Sequence, residues 1–425
     1  MTSSLKVVFI LAVTSIIAGV VTGARFYYNL GYLWVLLLLG SWGYSRLALR
    51  GLEFRRDART QRSQVGQIFE ERFEIINHNR LPRLWVEIRD ESPLPGARGS
   101  HVLGMIKGGE TRTYLVRTRM TERGVFPLGK SIMTSGDFFG LFPVSYEYSV
   151  QNSLLVYPII EEIQVFPSPS GWLSGGEALR RRTHQITPNA AGVRDYDTGD
   201  PLNRIHWLST ARMNRLIVKE FELDPLAEVW IFVDATKSVQ AELPRKTIPV
   251  SEREKWRPVI DIPLPPSTIE YSVTIAASLA RYFLKHGRAV GYVSAGRNLT
   301  VLPSDRGARQ LGKILEALAL LQSEGKLPIE AVIETQVKNL PRGSTVIVIS
   351  PTTGDGFLIG IEELNQRGLK PVVVLIDAES FGGKEGVDHL ISELGSMKIP
   401  LCKVSNGVNI TKALSEGIQA AYLWG

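Results

Sequence analysis

Two apolar runs near the N-terminus limit the folds open to this chain. Val7 to Thr22 carries no charge, and a second run extends from about Phe26 to Tyr44. Each approaches the roughly 20 residues a helix needs to cross the hydrocarbon layer, and neither has the polar face of a core helix. Arg25 and the polar Asn29 mark a very short link between them, so residues 1–50 read as a transmembrane helical hairpin. Tyr27, Tyr28, Trp34, Trp42 and Tyr44 suit the membrane interfaces. Arg46, Arg50, Arg55, Arg56, Arg59 and Arg62 follow the second run, and Lys6 precedes the first. By the positive-inside rule both ends are cytoplasmic. The expectation is a two-span protein of the cell membrane with its large C-terminal part in the cytoplasm. Lys6, an apolar core and Thr22-Gly23-Ala24 also fit a cleaved signal peptide; cleavage leaves the second span in the same orientation.

The 425 residues suggest two or three domains. A net charge of +7 points to nucleic acid or anionic lipid as a partner. The arginines lie beside the apolar runs and no nucleic-acid recognition motif is present, so lipid is the expected one and nucleic acid is not. Cys402 stands alone, which excludes an intramolecular disulfide and a zinc site built on several thiolates; it reads as a small core residue.

From Arg62 to Ile163 the texture changes. Ile68 to Ile76, Trp85 to Ile88, Thr111 to Arg119 and Leu154 to Tyr157 read as strands, broken by turns at Asn77-His78-Asn79, Pro93 to Gly99 and Lys107-Gly108-Gly109. Short strands with regular turns predict a small β-sandwich over residues 62–165, with Phe138, Phe139 and Phe142 as packing residues.

Residues 166–227 form a junction. Pro167 to Pro188 is rich in Ser, Gly and Pro and ends in a basic run, Arg180-Arg181-Arg182, the composition of a solvated loop. Within Gly192 to Glu222, Asp200 sits where an N-cap would, Pro201 at the first helical position, and Leu202, Ile205, Trp207 and Leu208 at helical spacing. Leu216 to Glu222 then alternates like a strand. Arg194, Asp195, Asp197, Asp200, Arg204, His206 and Arg212 crowd together, which predicts a lattice of ion pairs, since buried charges survive by pairing. The competing reading is a metal-dependent hydrolase site using Asp195, Asp197, Asp200 and His206.

The string Gly192, Arg194, Tyr196, Gly199-Asp200, Arg204-Ile205, Trp207, Ala211-Arg212 and Lys219-Glu220-Phe221-Glu222 resembles the signature of the domain of unknown function 58 family. Arg123 to Gly129 and Gly136 to Phe142 are similar to the same family's middle region, with Phe138 where a proline is usual. The resemblance implies a bacterial or archaeal membrane-attached protein with a von Willebrand factor A-like domain, often encoded beside a MoxR-type AAA+ ATPase. It implies no catalytic activity. The signature network is assigned to Arg194, Asp195, Tyr196, Asp200, Arg204, Trp207, Arg212 and Glu220.

Residues 228–425 turn to α/β. Val229 to Val233, Ala289 to Val293, Thr345 to Ile349 and Pro371 to Ile376 read as buried strands, with helices over Ser267 to His286, Arg306 to Leu321, Gly360 to Arg367 and Ile410 to Leu423. The alternation predicts a doubly wound parallel sheet with its ligand site at the strand carboxyl ends. There Asp234-Ala235-Thr236-Lys237-Ser238 is similar to the metal-ion-dependent adhesion motif of von Willebrand A domains. Magnesium takes an octahedron of oxygens, and Asp234, Thr236, Ser238 and Asp355 are the candidate ligands. The motif is degenerate: Ser304-Asp305-Arg306-Gly307 offers no threonine, Asp355 stands where an earlier aspartate is expected, and Lys237 sets a cation inside. Pairing of Lys237 with a carboxylate is the alternative. Gln240 to Pro266, with Pro244, Pro249, Pro258, Pro263, Pro265 and Pro266, reads as a partner-binding loop or lid, with Trp256 as an anchor.

The functional expectation is a membrane-tethered interaction or scaffold protein with a MoxR-type AAA+ ATPase as partner. It is not expected to be an enzyme. No nucleophile elbow, HExxH helix or phosphate loop is present.

Overall fold

The computed structural model describes residues 3–97, 99–149, 152–166, 190–197, 205–221, 228–244 and 262–415, with backbone alone at 190–194 and 219–221. The chain divides into two units. One comprises Met1–Glu161, Leu243–Ser278 and Gly312–Gln322; the other comprises Glu162–Glu242, Leu279–Leu311 and Ser323–Gly425.

The first unit opens with two helices, α1 (Ser3–Thr22) and α2 (Arg25–Ala48). Gly23, at φ +65°, makes the link between them, a backbone conformation open to glycine without steric cost. The helices pack through small residues. Ala12, Ser15 and Gly19 are buried on α1, and Gly31 and Ser41 on α2. A Cβ at Gly19 would lie 3.3 Å from the Tyr28 ring, and one at Gly31 3.1 Å from the Ile16 side chain. Small residues that admit the opposing helix this closely are how apolar helices associate in lipid. Val7, Ile10, Ile17, Val20 and Val21 face outward. With its 20 residues, α1 has the length and composition of a membrane span or of a signal sequence.

Ten strands follow: β1 (Leu52–Ala58), β2 (Arg62–Gln64), β3 (Ile68–Asn77), β4 (Arg83–Asp90), β5 (His101–Ile106), β6 (Thr111–Arg119), β7 (Gly124–Pro127), β8 (Lys130–Ser135), β9 (Val144–Ser149) and β10 (Ser153–Tyr157). They form an antiparallel sheet β1-β3-β6, an antiparallel sheet β5-β4-β8-β9 and a small sheet β2-β10-β7. Phe54, Phe73, Ile75, Val86, Ile88, Ile106, Val116 and Met133 make one core between the larger sheets. Alternate residues of β1 and β3 point inward, as the two-residue period of a strand requires. That period carries Arg56 and Glu71 into the interior.

Arg56 meets two buried carboxylates there. Its Nε donates to Glu71 Oε1 at 2.7 Å and its Nη1 to Asp90 Oδ1 at 3.0 Å, with all three side chains about 1% exposed. Nη1 also donates to the Leu128 carbonyl at 2.6 Å, and the guanidinium lies 5.0 Å from the Phe73 ring centre. Burial still pushes the Glu71 carboxyl above its ordinary value, against the pull of Arg56. Arg56 therefore does not belong to the lipid-facing arginines of the sequence reading; its position on the inward face of β1 removes it from solvent and bilayer alike.

In the second unit β11 (Ala190–Asp195) pairs antiparallel with β12 (Ile217–Phe221), and α3 (Trp207–Met213) lies between them in sequence. A six-stranded sheet carries the rest: β13 (Val229–Val233), β14 (Val290–Ala295), β15 (Leu299–Asp305), β16 (Thr345–Ser350), β17 (Lys370–Ile376) and β18 (Leu401–Val404), in the order β15-β14-β13-β16-β17-β18. All pairings are parallel except β14 with β15. The sheet is thus mixed, where the sequence predicted a parallel one, because Gly296-Arg297-Asn298 turns the chain straight back into a hairpin. The helices α6 (Ile329–Gln336), α7 (Gly356–Gln366) and α8 (Val387–Ser396) belong to this unit, whereas α4 (Thr268–Lys285) and α5 (Ala308–Leu320) are each divided between the two units. Phe232, Val348, Leu375, Ile333, Ile361 and Leu390 belong to one buried cluster. Cys402 lies in the core, and burial pushes its thiol up to about 12.

Replacing Arg56 with Met strands two carboxylates in a dry site. The expected loss is about 3–5 kcal/mol, read by chemical denaturation in mild detergent. Adding Glu71→Leu should return part of it. An Arg56→Met chain as stable as the parent would mean that the triad contributes nothing.

Candidate functional site

The order of the six-stranded sheet reverses at β13, whose neighbours β14 and β16 are reached in opposite directions. In open α/β sheets ligands bind outside the strand carboxyl ends at such a point. Asp234 follows β13 there and is 2% exposed. Its Oδ2 accepts from the Ser350 hydroxyl at 2.5 Å, and its Oδ1 from the Thr236 N–H at 2.9 Å. Ser350 in turn accepts the Thr352 N–H at 3.0 Å, and Gln240 donates to the Asp234 carbonyl at 2.8 Å. Burial raises the Asp234 carboxyl above its ordinary 3.8, the bonds from Ser350 and Thr236 oppose the shift, and the Glu330 charge adds to it.

Backbone crowding sets this corner. The Gly325 N–H donates to the Ala235 carbonyl, and the Lys237 N–H donates to Gly325. A Cβ at Gly325 would fall 2.2 Å from the Ala295 carbonyl oxygen and 2.7 Å from that of Ala235, so only glycine fits. The Thr236 hydroxyl is directed to the Leu327 carbonyl at 2.8 Å.

Of the four candidate metal ligands, Asp234 and Thr236 are thus engaged by protein partners, while Ser238 and Asp355 are exposed. Asp355 opens α7 without a side-chain capping bond. Lys237 is exposed too, and no ion pair joins it to a described carboxylate. Asp305 sits in register with Val290 at the start of β14, at the opposite end of the sheet from Asp234. Among the described residues no group of three or more His, Cys, Asp or Glu side chains is arranged to hold a metal ion.

A second polar node follows β17. Asp377 accepts from the Ser405 hydroxyl at 2.9 Å and faces Lys403 at 3.5 Å, and Lys403 also pairs with Asp388. Ser380 accepts the Asn406 N–H and donates to the Asp377 carbonyl. Sequence reasoning passed over Asp377, although an aspartate directly after a buried apolar run marks a strand end as Asp234 does.

In the signature segment Asp200 and Arg204 lie outside the described residues, as do Pro201 and Leu202. Arg194 lies on β11 and Glu220 on β12, described there as backbone alone. Asp195 pairs with Arg215 at 3.1 Å, with both side chains about 60% exposed, a pair worth about 0–1 kcal/mol. Tyr196 is half-buried, and its N–H donates to the Leu216 carbonyl. Asp197 and Arg212 are exposed. His206 Nδ1 lies 2.7 Å from the Ser209 hydroxyl. Ile205 pairs with Val218 ahead of α3 rather than within it, so the expected helical spacing does not run through it. Trp207 and Leu208 are 67% and 66% exposed, and α3 buries none of its residues.

One organising residue escaped the sequence reading. Arg123, whose side chain is 6% exposed, pairs with Glu270 in the first turn of α4. It also donates to the carbonyls of Leu318 at 3.1 Å and Leu321 at 2.5 Å, meeting the carbonyls at the end of α5 with a cation. Arg123 and Glu270 line a cavity of about 350 Å³ with Val65, Pro158, Leu264 and Leu321. The signal was the arginine that opens Arg123 to Gly129.

Asp234→Asn keeps an acceptor for the Thr236 N–H and removes the ionisable group. Because the folded carboxyl titrates above 3.8, the stability of its protonated form is full below that pH and is lost as pH rises through the folded value. The parent should therefore melt progressively lower than Asp234→Asn as pH is raised above about 4, and alongside it below. An offset independent of pH would contradict this account.

The family described as protein of unknown function DUF58 matches residues 192–247. An uncharacterised protein of Bacillus subtilis, YeaD, is 21% identical over 261 residues, covering 60% of this chain and 54% of the relative. The chain thus spans about half the length of the curated relative it matches. Among solved structures, proximal thread matrix protein 1 from the mussel byssus aligns at a TM-score of 0.29 and 12% identity, over 46% of each chain. The cupredoxin domain of amoB from Nitrosocaldus yellowstonii aligns at 0.19 and 10% identity, over 34% of this chain and 99% of that domain. Scores of this size assign no fold. The signature segment and the distant relative together support a resemblance of this chain to the DUF58 family.

Proposed function

We propose that this protein is a membrane-tethered scaffold, held by the α1–α2 hairpin as a two-span anchor, with everything after α2 on the cytoplasmic side. Its ten-stranded part acts as a β-sandwich spacer. Its mixed sheet is read as a von Willebrand factor A-like domain, on the strand order and the single antiparallel edge strand. The observation that carries the reading is Asp234, buried at the switch point with both carboxylate oxygens taken by Ser350 and Thr236. A strand end closed in this way offers a rigid surface, and a partner docks on it without chemistry. The surface proposed is the Thr352 to Phe357 loop with the exposed Ile359 on α7; Trp256 and the proline-rich segment around it lie outside the described residues. The family resemblance makes a MoxR-type AAA+ ATPase the proposed partner.

Two measurements test this. The full-length chain in mild detergent should co-elute with a MoxR-type ATPase from its own genome, and Ile359→Glu should weaken the complex about tenfold, equal to about 1.4 kcal/mol. Absence of a complex at micromolar concentrations would sink the partnership. Magnesium should leave the melting temperature unchanged; a rise that saturates with concentration, as binding to the folded state requires, would restore the metal site. For topology, a C-terminal fluorescent-protein fusion should glow and a C-terminal alkaline phosphatase fusion should stay inactive.

A further inference from the structure

The turn between β8 and β9 departs from the sequence expectation. Phe138 and Phe139 are 74% and 56% exposed, so they are not packing residues. Their rings meet edge to face with centres 5.3 Å apart. Two adjacent phenylalanines held in water forfeit the apolar transfer that burial would give.

The turn is fixed in that state. Asp137, 2% exposed, accepts the Phe139 N–H at 3.0 Å and the Phe142 N–H at 2.8 Å, and its carbonyl accepts the Gly140 N–H at 3.1 Å and the Trp85 indole at 3.0 Å. The turn is also bolted to α2. The Ser45 hydroxyl lies 3.4 Å from Asp137 Oδ1 and accepts the Asp137 N–H at 3.2 Å. Ser45 is in the last turn of α2, about 4.5 Å along the axis from Trp42 at 1.5 Å per residue. Trp42 is half exposed with the Arg46 guanidinium 5.1 Å from its ring, the aromatic and basic pairing found at a membrane interface. A second loop converges on the same helix end: Tyr44 donates to the Pro82 carbonyl at 3.1 Å, beside exposed Arg80 and Leu81.

We propose that Phe138 and Phe139 form a second membrane contact, inserting into the lipid interface beside the end of α2, with Leu81 alongside and Arg46, Arg50 and Arg80 meeting anionic headgroups. The occupant is the bilayer because the turn is hydrogen-bonded to the helix that enters it, and basic side chains flank the apolar ones. The inference rests on α2 being a membrane span. It gives the β domain a fixed attitude at the membrane instead of a swivelling tether.

The test uses the full chain in nanodiscs that contain phosphatidylglycerol. Cys402 is buried, so a fluorescent label goes to one introduced cysteine at a time: Phe138→Cys, Phe139→Cys, Leu36→Cys on the outward side of α2, and Val102→Cys on β5 as an aqueous reference. Labels at 138 and 139 should be quenched several-fold more by nitroxides carried on lipid than by aqueous iodide, and the label at 102 the reverse. If 36 is lipid-quenched while 138 and 139 respond to iodide, the second contact is wrong and the span stands. If 36 itself responds to iodide, the membrane reading of α2 has failed. Shielding of 138 and 139 from both quenchers would place a second copy of the chain on the turn and overturn the proposal.

Discussion

A guanidinium shared by two carboxylates in a dry interior is the interaction on which the first unit depends. Without Arg56, Glu71 and Asp90 would be two acids in that setting with no counter-charge, and a buried Arg56 without them would be equally costly. The constraint arises from strand periodicity, since the inward face of β1 runs Leu52, Phe54, Arg56. An apolar triad of similar volume would pack as well, so stability alone does not account for it. What the charges add is register: a slip of one residue turns Arg56 outward and leaves Glu71 alone.

The second unit treats a buried acid differently. Asp234 has no cation beside it; a hydroxyl and a backbone N–H hold it, and burial raises its carboxyl. Arg123 follows the first pattern, with Glu270 as counter-charge and two helix-end carbonyls as further acceptors. Buried polar groups in this protein thus organise junctions: strand against strand, strand end against loop, strand edge against helix.

Much of the architecture was legible because its signals are periodic or compositional. The apolar runs, the turn-broken strands and the unbroken runs at Val229, Thr345 and Pro371 fall where elements form. Other features were hidden for physical reasons. The strand at Leu299–Asp305 has one exposed face and alternates weakly with polar residues, so no buried-strand pattern marks it. Ile329–Gln336 and Val387–Ser396 are short helices, below the length at which helical spacing stands out. The burial of Arg56 and the exposure of Phe138 run against residue type, and tertiary contacts alone decide them. The signature network was legible as a cluster of residue types only, because which charge meets which depends on loop geometry: Asp195 found Arg215, one turn beyond the expected set.

The close fit of the helical hairpin has a further effect. With Tyr28 seated over Gly19 and Ile16 over Gly31, α2 cannot rotate about its own axis without a clash, and each residue of rotation amounts to about 100°. Ser45 passes that bearing on to Asp137. The two glycines therefore act as a compass for the β domain, setting its azimuth from contacts made by Tyr28 and Gly31, about four to five turns up the helix from Ser45. A bulkier side chain at either would leave the domain folded and turn it to a different heading.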